Sequence, residues 1–262
     1  MSKIPQDFVG SALRLSDIDL PTIGATIGCG EDEIHAVLDV ESRGSGFDKH
    51  GRPIILFEPH IFYRLLSGPG PDLRARAVRE GLAYENWGEK PYPADSYPRL
   101  KAAMLINETA ALKSASWGLG QLLGSNHAAA GYATVQDMVA AFCASERNQL
   151  AGMIAFIKSE GLDRALRNHK WADFARGYNG PSYAKNQYST RLLRRFLFWS
   201  DIKDTKVFAH ADAATETRLR DPKAGHVVGS PPAPAPLTNV VQGGAQPGFW
   251  ARFASALFRR TV

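Results

Sequence analysis

Glu31-Asp32-Glu33-Ile34-His35-Ala36-Val37-Leu38-Asp39-Val40-Glu41-Ser42-Arg43-Gly44-Ser45-Gly46-Phe47 divides into an amphipathic helix and a glycine-broken turn. Ile34, Val37, Leu38 and Glu41 recur at three- to four-residue spacing, which puts Glu41 on or beside the apolar face. Gly44 and Gly46 end the helix. A carboxylate in a last helical turn meets the negative end of the helix dipole, at a cost of roughly 0.3–1 kcal/mol. Partial burial against apolar side chains raises the pKa of such a group further. A glutamate held protonated near neutral pH is what the general acid of glycoside cleavage requires. The competing reading is a solvated glutamate at a frayed helix end.

Two later segments bear on that choice: Ala115-Ser116-Trp117-Gly118-Leu119-Gly120-Gln121-Leu122-Leu123-Gly124 and Phe174-Ala175-Arg176-Gly177-Tyr178-Asn179-Gly180-Pro181. Glu41-Ser42, then Gly118-Leu119-Gly120-Gln121, then Ala175-Arg176-Gly177-Tyr178-Asn179-Gly180 resemble, in order, the motifs of goose-type lysozymes and soluble lytic transglycosylases. The last match departs from the pattern, because glycine follows the asparagine directly. Further strings sharpen the likeness: Gly51-Arg52-Pro53-Ile54-Ile55-Leu56-Phe57-Glu58-Pro59-His60-Ile61-Phe62-Tyr63, then Ala115-Ser116-Trp117-Gly118. Over residues 10–200 the chain resembles the N-acetylmuramidase domain of phage endolysins. The resemblance implies a mainly α, lysozyme-like helical domain with a small β element beside the cleft. It also implies cleavage of the β-1,4 bond between N-acetylmuramic acid and N-acetylglucosamine in peptidoglycan. At Gly120 the likeness predicts a bulkier residue, so the glycine is expected to widen the cleft locally.

Within that frame Glu41 is the candidate acid and Glu58 the candidate second carboxylate. Glu58 ends the β-like run 53–58, where it either faces substrate or lies buried and paired to Arg52 or Arg64. Asp48 is a poorer candidate on a Gly-flanked loop. Gln121 offers the donors and acceptors that sugar acetamido groups need, on glycine-rich backbone that a ligand can approach closely. Trp117 either stacks on a sugar ring or packs in the core. Tyr178 and Asn179 either contact sugar or orient Glu41, with plain core packing as the alternative for Tyr178. His127 is a site-edge residue or a local cap.

Composition bounds the rest. The 262 residues suffice for a sizeable core, and 44% hydrophobic content is ordinary for a globular chain. No apolar run reaches the roughly 18 residues a membrane span needs. Residues 1–20 lack the pattern of a secretory signal. For a wall-cutting enzyme this implies release by another route, as in a phage lysis enzyme made in the host cytoplasm and acting on periplasmic peptidoglycan once the membrane is permeabilised. Cys29 and Cys143 do not make a disulfide framework, and Cys143 in the run 138–143 reads as core. His60 and His127 lack partners at zinc-ligand spacing, so no metal and no cofactor is expected. A monomer with no nucleic-acid partner is expected.

The chain divides into a catalytic domain over 1–205, a flexible Pro-rich linker over 206–246 and a basic amphipathic helix over 247–262. Helices are expected over 16–27, 31–41, 100–114, 134–143, 146–159, 162–168, 171–178 and 183–199, and a long surface excursion over 67–98. Ser230-Pro231-Pro232-Ala233-Pro234-Ala235-Pro236 is a semi-extended linker. Beyond it Phe249, Trp250, Phe253, Leu257 and Arg260 recur at helical spacing. Residues 222–262 hold Lys223, Arg252, Arg259 and Arg260 and no acid, which is four of the five net positive charges of the chain. Such a helix binds an anionic membrane surface or docks its aromatic face on the main domain. Three functions remain in view: a muramidase, a lytic transglycosylase that releases 1,6-anhydro sugar, and a non-catalytic wall-binding module. A zinc amidase or peptidase would be revealed by chelator sensitivity.

Overall fold

The computed structural model describes residues 3–41, 44–68, 72–179 and 187–205. Among them are ten α-helices and one three-stranded sheet. The helices are α1 (Asp19–Gly24), α2 (Glu31–Glu41), α3 (Pro59–Leu65), α4 (Leu73–Arg79), α5 (Tyr97–Lys113), α6 (Val135–Ala144), α7 (Glu146–Ser159), α8 (Asp163–Arg167), α9 (Trp171–Asn179) and α10 (Tyr188–Ser200). The strands β1 (Ile55–Phe57), β2 (Ala115–Trp117) and β3 (Leu122–Leu123) run antiparallel in that order. The mainly α class with a small β element is as expected. Residues 206–262, with the expected linker and amphipathic helix, lie outside the described residues.

The helices start where side chains satisfy their first N–H groups. Thr134 accepts from Asp137 N at 3.0 Å, Ser145 from Asn148 N at 3.1 Å and Asp72 from Ala75 N at 2.8 Å. The Asp72 cap starts α4 inside the segment read as a loop, so that expectation is corrected. The first expected helix, 16–27, is shorter: α1 is followed by a 3-10 turn over Ala25–Ile27. Leu38 and Ile34 of α2, Phe62 of α3, Leu100 of α5, Phe142 of α6, Met153 of α7 and Phe174 of α9 share one core. Cys143 lies in it as expected, and Cys29 and Cys143 are both buried free thiols. Burial pushes each thiol up to about 12, so both are neutral. Among the described residues no helix is long and apolar enough to cross a membrane.

Candidate active site

The helix α2, which carries Glu41, is held at both ends. Glu31, Asp32 and Glu33 sit in the first turn of α2, where the helix dipole favours negative charge. Gly30 N donates to Glu33 Oε2 at 2.8 Å, one leg of a capping box. Burial, aided by Asp204, Glu33 and Glu31, pushes Asp32 up to about 6. At the carbonyl end Arg191 of α10 donates to Val40 O at 3.3 Å. Trp199 lies 3.8 Å over the His35 ring at an interplanar angle of 10° and donates its indole N–H to Asp39 at 2.8 Å. Glu41 closes the helix half-buried. Ser42 and Arg43 lie outside the described residues.

The turn that follows is tied to the β2–β3 hairpin. Gly44 has φ +87°, with nothing near its missing Cβ, so it serves the backbone rather than the packing. Gly46 O accepts from Ile54 N at 2.9 Å, and Ile54 O accepts from Gly118 N at 2.7 Å. Gln121 sits at φ +49°, a conformation costly for a side chain with a Cβ. Its amide offsets that cost by donating to Ile54 O at 3.1 Å and to Gly118 O at 2.9 Å. Both amide hydrogens are thus spent on backbone, and Oε1 is left as the acceptor a sugar donor could meet. Gly120 does not widen a cleft. A Cβ there would stand 2.6 Å from Met153 Sδ, so the methionine fills the space and the expectation is corrected.

Tyr178 is fully buried in α9, its ring stacked on Phe174 at 5.1 Å. Burial raises its phenol far above the ordinary range, and the negative charge of Glu41 adds to the rise. The ring is therefore within electrostatic reach of Glu41 and is buried away from any sugar-binding surface. Asn179 ends α9, and its side chain lies outside the description.

Two expectations are corrected by burial. Trp117 is 0% exposed at the centre of the sheet, paired with Ile55 and packed on Phe8 at 5.7 Å. Its indole N–H donates to Leu112 O at 3.0 Å, and its burial keeps the ring faces from a sugar. Glu58 is also 0% exposed. It precedes Pro59 at the start of α3 and turns its carboxylate inward, where the Tyr92 phenol donates to it. His60 Nδ1 stands 3.4 Å from Glu58 Oε2, yet this is not an ion pair, because burial and then Arg64 push His60 down to about 4 and keep it neutral. Arg52, one expected partner of Glu58, bonds instead to Asp48 at 2.7 Å and Asp95 at 3.3 Å. Asp48 is fully engaged: Oδ1 accepts from His50 N and Arg52 N, and Oδ2 from Arg52 Nε.

Glu146 and Gln149 were not foreseen. Glu146 Oε1 accepts from Gly46 N at 2.7 Å, and Gln149 Oε1 accepts from Leu119 N at 2.7 Å. The available signal was their position on α7, where two polar residues at i and i+3 interrupt a stripe that includes Leu150 and Met153. His127 places Nδ1 3.1 Å from Gly124 O and lines a surface groove of about 830 Å³ with Lys3, Phe8, Lys101 and Met104. None of the candidate catalytic residues lines that groove. Among the described residues no group of three or more His, Cys, Asp or Glu side chains could hold a metal ion.

A family model described as N-acetylmuramidase matches residues 31–200. A solved structure described as the crystal structure of Burkholderia AP3 phage endolysin is similar at 37% identity and a TM-score of 0.66, over 72% of each chain. No curated protein matches this chain. The matched span runs from the first residue of α2 to the last of α10 and so contains every site element described above.

Proposed function

This chain belongs to the N-acetylmuramidase family, and on that premise we propose that it is a peptidoglycan-cleaving endolysin. Its target is the β-1,4 bond between N-acetylmuramic acid and N-acetylglucosamine, and Glu41 is the general acid. The observation that carries the assignment is the setting of Glu41. It is a half-buried carboxylate at the end of α2, within electrostatic reach of the buried Tyr178, and its following turn shares Ile54 with the turn that bears Gln121. The likeness to the AP3 phage endolysin supports host lysis as the setting.

Glu41 protonates the glycosidic oxygen as the bond to the anomeric carbon breaks, and an oxocarbenium-like centre forms on the muramic acid ring. Gln121 Oε1 accepts from an acetamido N–H or a hydroxyl and holds the sugar against the acid. Water attack then leaves a reducing N-acetylmuramic acid end. One observation favours a second reading. With Glu58 buried and Asp48 engaged, neither foreseen partner is available as a base or nucleophile for water-based cleavage. Intramolecular attack by the C6 hydroxyl of the muramic acid, which passes its proton to the Glu41 carboxylate left after leaving-group protonation, dispenses with that water and yields a 1,6-anhydro end, as in a lytic transglycosylase.

Glu41→Gln keeps the side-chain shape but has no proton to deliver, and the expected loss of rate on purified peptidoglycan is about 10²–10⁴-fold. Near wild-type degradation by the folded variant would remove Glu41 from the mechanism and favour a non-catalytic wall-binding module. Mass spectrometry of the released muropeptides separates the two chemistries. Reducing ends are expected; ends lighter by one water would make the enzyme a transglycosylase.

A further inference from the structure

We propose that Glu146 and Gln149, one turn apart at the start of α7, are positioning residues that hold the acid's turn and the Gln121 turn in fixed register. The proposal rests on Glu41 as the acid and goes beyond it. Both side chains are buried, at 5% and 1% exposure. A buried carboxylate and a buried amide are costly unless they are bonded, and four of the six bonds these two make go to loop backbone. Glu146 Oε1 accepts from Gly46 N and from Arg14 Nη1, each at 2.7 Å, and Oε2 accepts from Leu15 N at 3.0 Å. Gln149 Oε1 accepts from Leu119 N at 2.7 Å, while Nε2 donates to Phe142 O at 2.9 Å and Gly46 O at 3.5 Å.

The glycines show how closely the two turns approach. A Cβ on Gly46 would stand 2.0 Å from Gln149 Oε1, and one on Gly118 would stand 2.5 Å from Gln149 Cδ and Oε1. The two turns therefore close on one amide from two sides. Gly46 follows Glu41 by five residues, and Gly118 begins the turn that ends at Gln121. α7 contributes neither the proposed acid nor the proposed ligand contact, yet it sets the distance between them. Of the two turns, Glu146 reaches only the one after Glu41, whereas Gln149 reaches both.

That difference predicts a split in kinetic parameters on a soluble peptidoglycan fragment. Misplacement of a reacting group by about 1 Å can cost on the order of 10²-fold. Glu146→Ala is therefore expected to lower kcat about 10- to 100-fold with KM within about threefold of wild type. Glu146→Gln retains an acceptor for Gly46 N and is expected to recover most of that loss, whereas loss of the Arg14 ion pair alone would leave it no better than alanine. Gln149→Met, which abandons Leu119 N as well, is expected to raise KM in addition. Gly46→Ala pushes the acid's turn away while keeping every α7 side chain, and it decides the matter should Glu146→Ala fail to fold. Folded Glu146→Ala or Gly46→Ala with kcat within about twofold of wild type would overturn the proposal, as would equal kcat losses in Glu146→Gln and Glu146→Ala. Glu41→Gln, run alongside, separates the two readings. If it is active while Gly46→Ala is impaired, the acid assignment fails and takes with it the premise of the positioning; an inactive Glu41→Gln with an unimpaired Gly46→Ala removes the positioning alone.

Discussion

Glu58 and His60 meet in the interior at 3.4 Å, both 0% exposed, and the imidazole has been driven neutral, with a pKa of about 4 against 6.5 for the free side chain. The sign of the consequence follows from proton counting. Between those two values the unfolded chain binds a proton that the folded chain refuses, so stability is complete above about 6.5. It falls as the pH drops toward about 4 and then levels off. Over the whole window the loss is roughly 3 kcal/mol, because each pKa unit is worth about 1.4 kcal/mol. His60→Asn removes the titrating group from this pocket. Urea unfolding at pH 7.5 and pH 4.5 is expected to show the variant gaining on wild type by about 2–3 kcal/mol between the two conditions. Parallel pH dependence in the two proteins would assign the acid sensitivity to other groups. The burial that makes this pair a pH-dependent stability element is also what removes Glu58 from the substrate side.

At the scale of elements, α10 acts as a clamp on α2. Trp199 stacks on His35, its indole N–H reaches Asp39, Arg195 Nε stands 3.5 Å from the same carboxylate, and Arg191 donates to Val40 O. Trp199→Ala is expected to cost about 1–3 kcal/mol, from a stacked pair and a charge-assisted hydrogen bond at a half-buried site. For a domain of this size that lowers Tm by about 2–4 °C per kcal/mol, read by thermal unfolding. Activity should also fall below the transition, because α2 carries Glu41; an unchanged Tm would show that the clamp contributes nothing. Much of this layer was legible in the sequence. The periodic run 31–41 and the turn glycines bound α2 without tertiary help, and the helices expected over 134–143 and 146–159 fall on α6 and α7. The hairpin strands were not legible, because three residues and two residues carry no period. Nor was the break in α5, where Asn107 leaves helical geometry at φ −155° and its side chain accepts from Ala110 N, because the apolar spacing runs straight through it. The motif order picked out Glu41 and Tyr178. It could not say that Trp117 faces Phe8 or that Glu58 faces Tyr92, since both depend on contacts made by segments distant in sequence.

At the scale of the whole molecule, charge is unevenly spread. Lys223, Arg252, Arg259 and Arg260 supply four of the five net positive charges, so residues 1–221 are close to neutral. We propose that residues 247–262, which follow the Pro-rich segment in sequence, bind an anionic membrane surface. The aromatic spacing of Phe249, Trp250, Phe253 and Leu257 supports this, together with three arginines and no acid in the same segment. Each arginine near such a surface is worth about 1 kcal/mol, and salt screens that attraction within a Debye length. Every group assigned to the site above lies at or before residue 179, so truncation after Pro236 is expected to leave activity on purified peptidoglycan largely intact. Binding to vesicles of anionic lipid should fall, and lysis of intact Gram-negative cells should weaken and lose its salt sensitivity. If the truncated chain instead unfolds, or loses its activity on purified wall, the aromatic face packs on the catalytic domain and the membrane assignment fails.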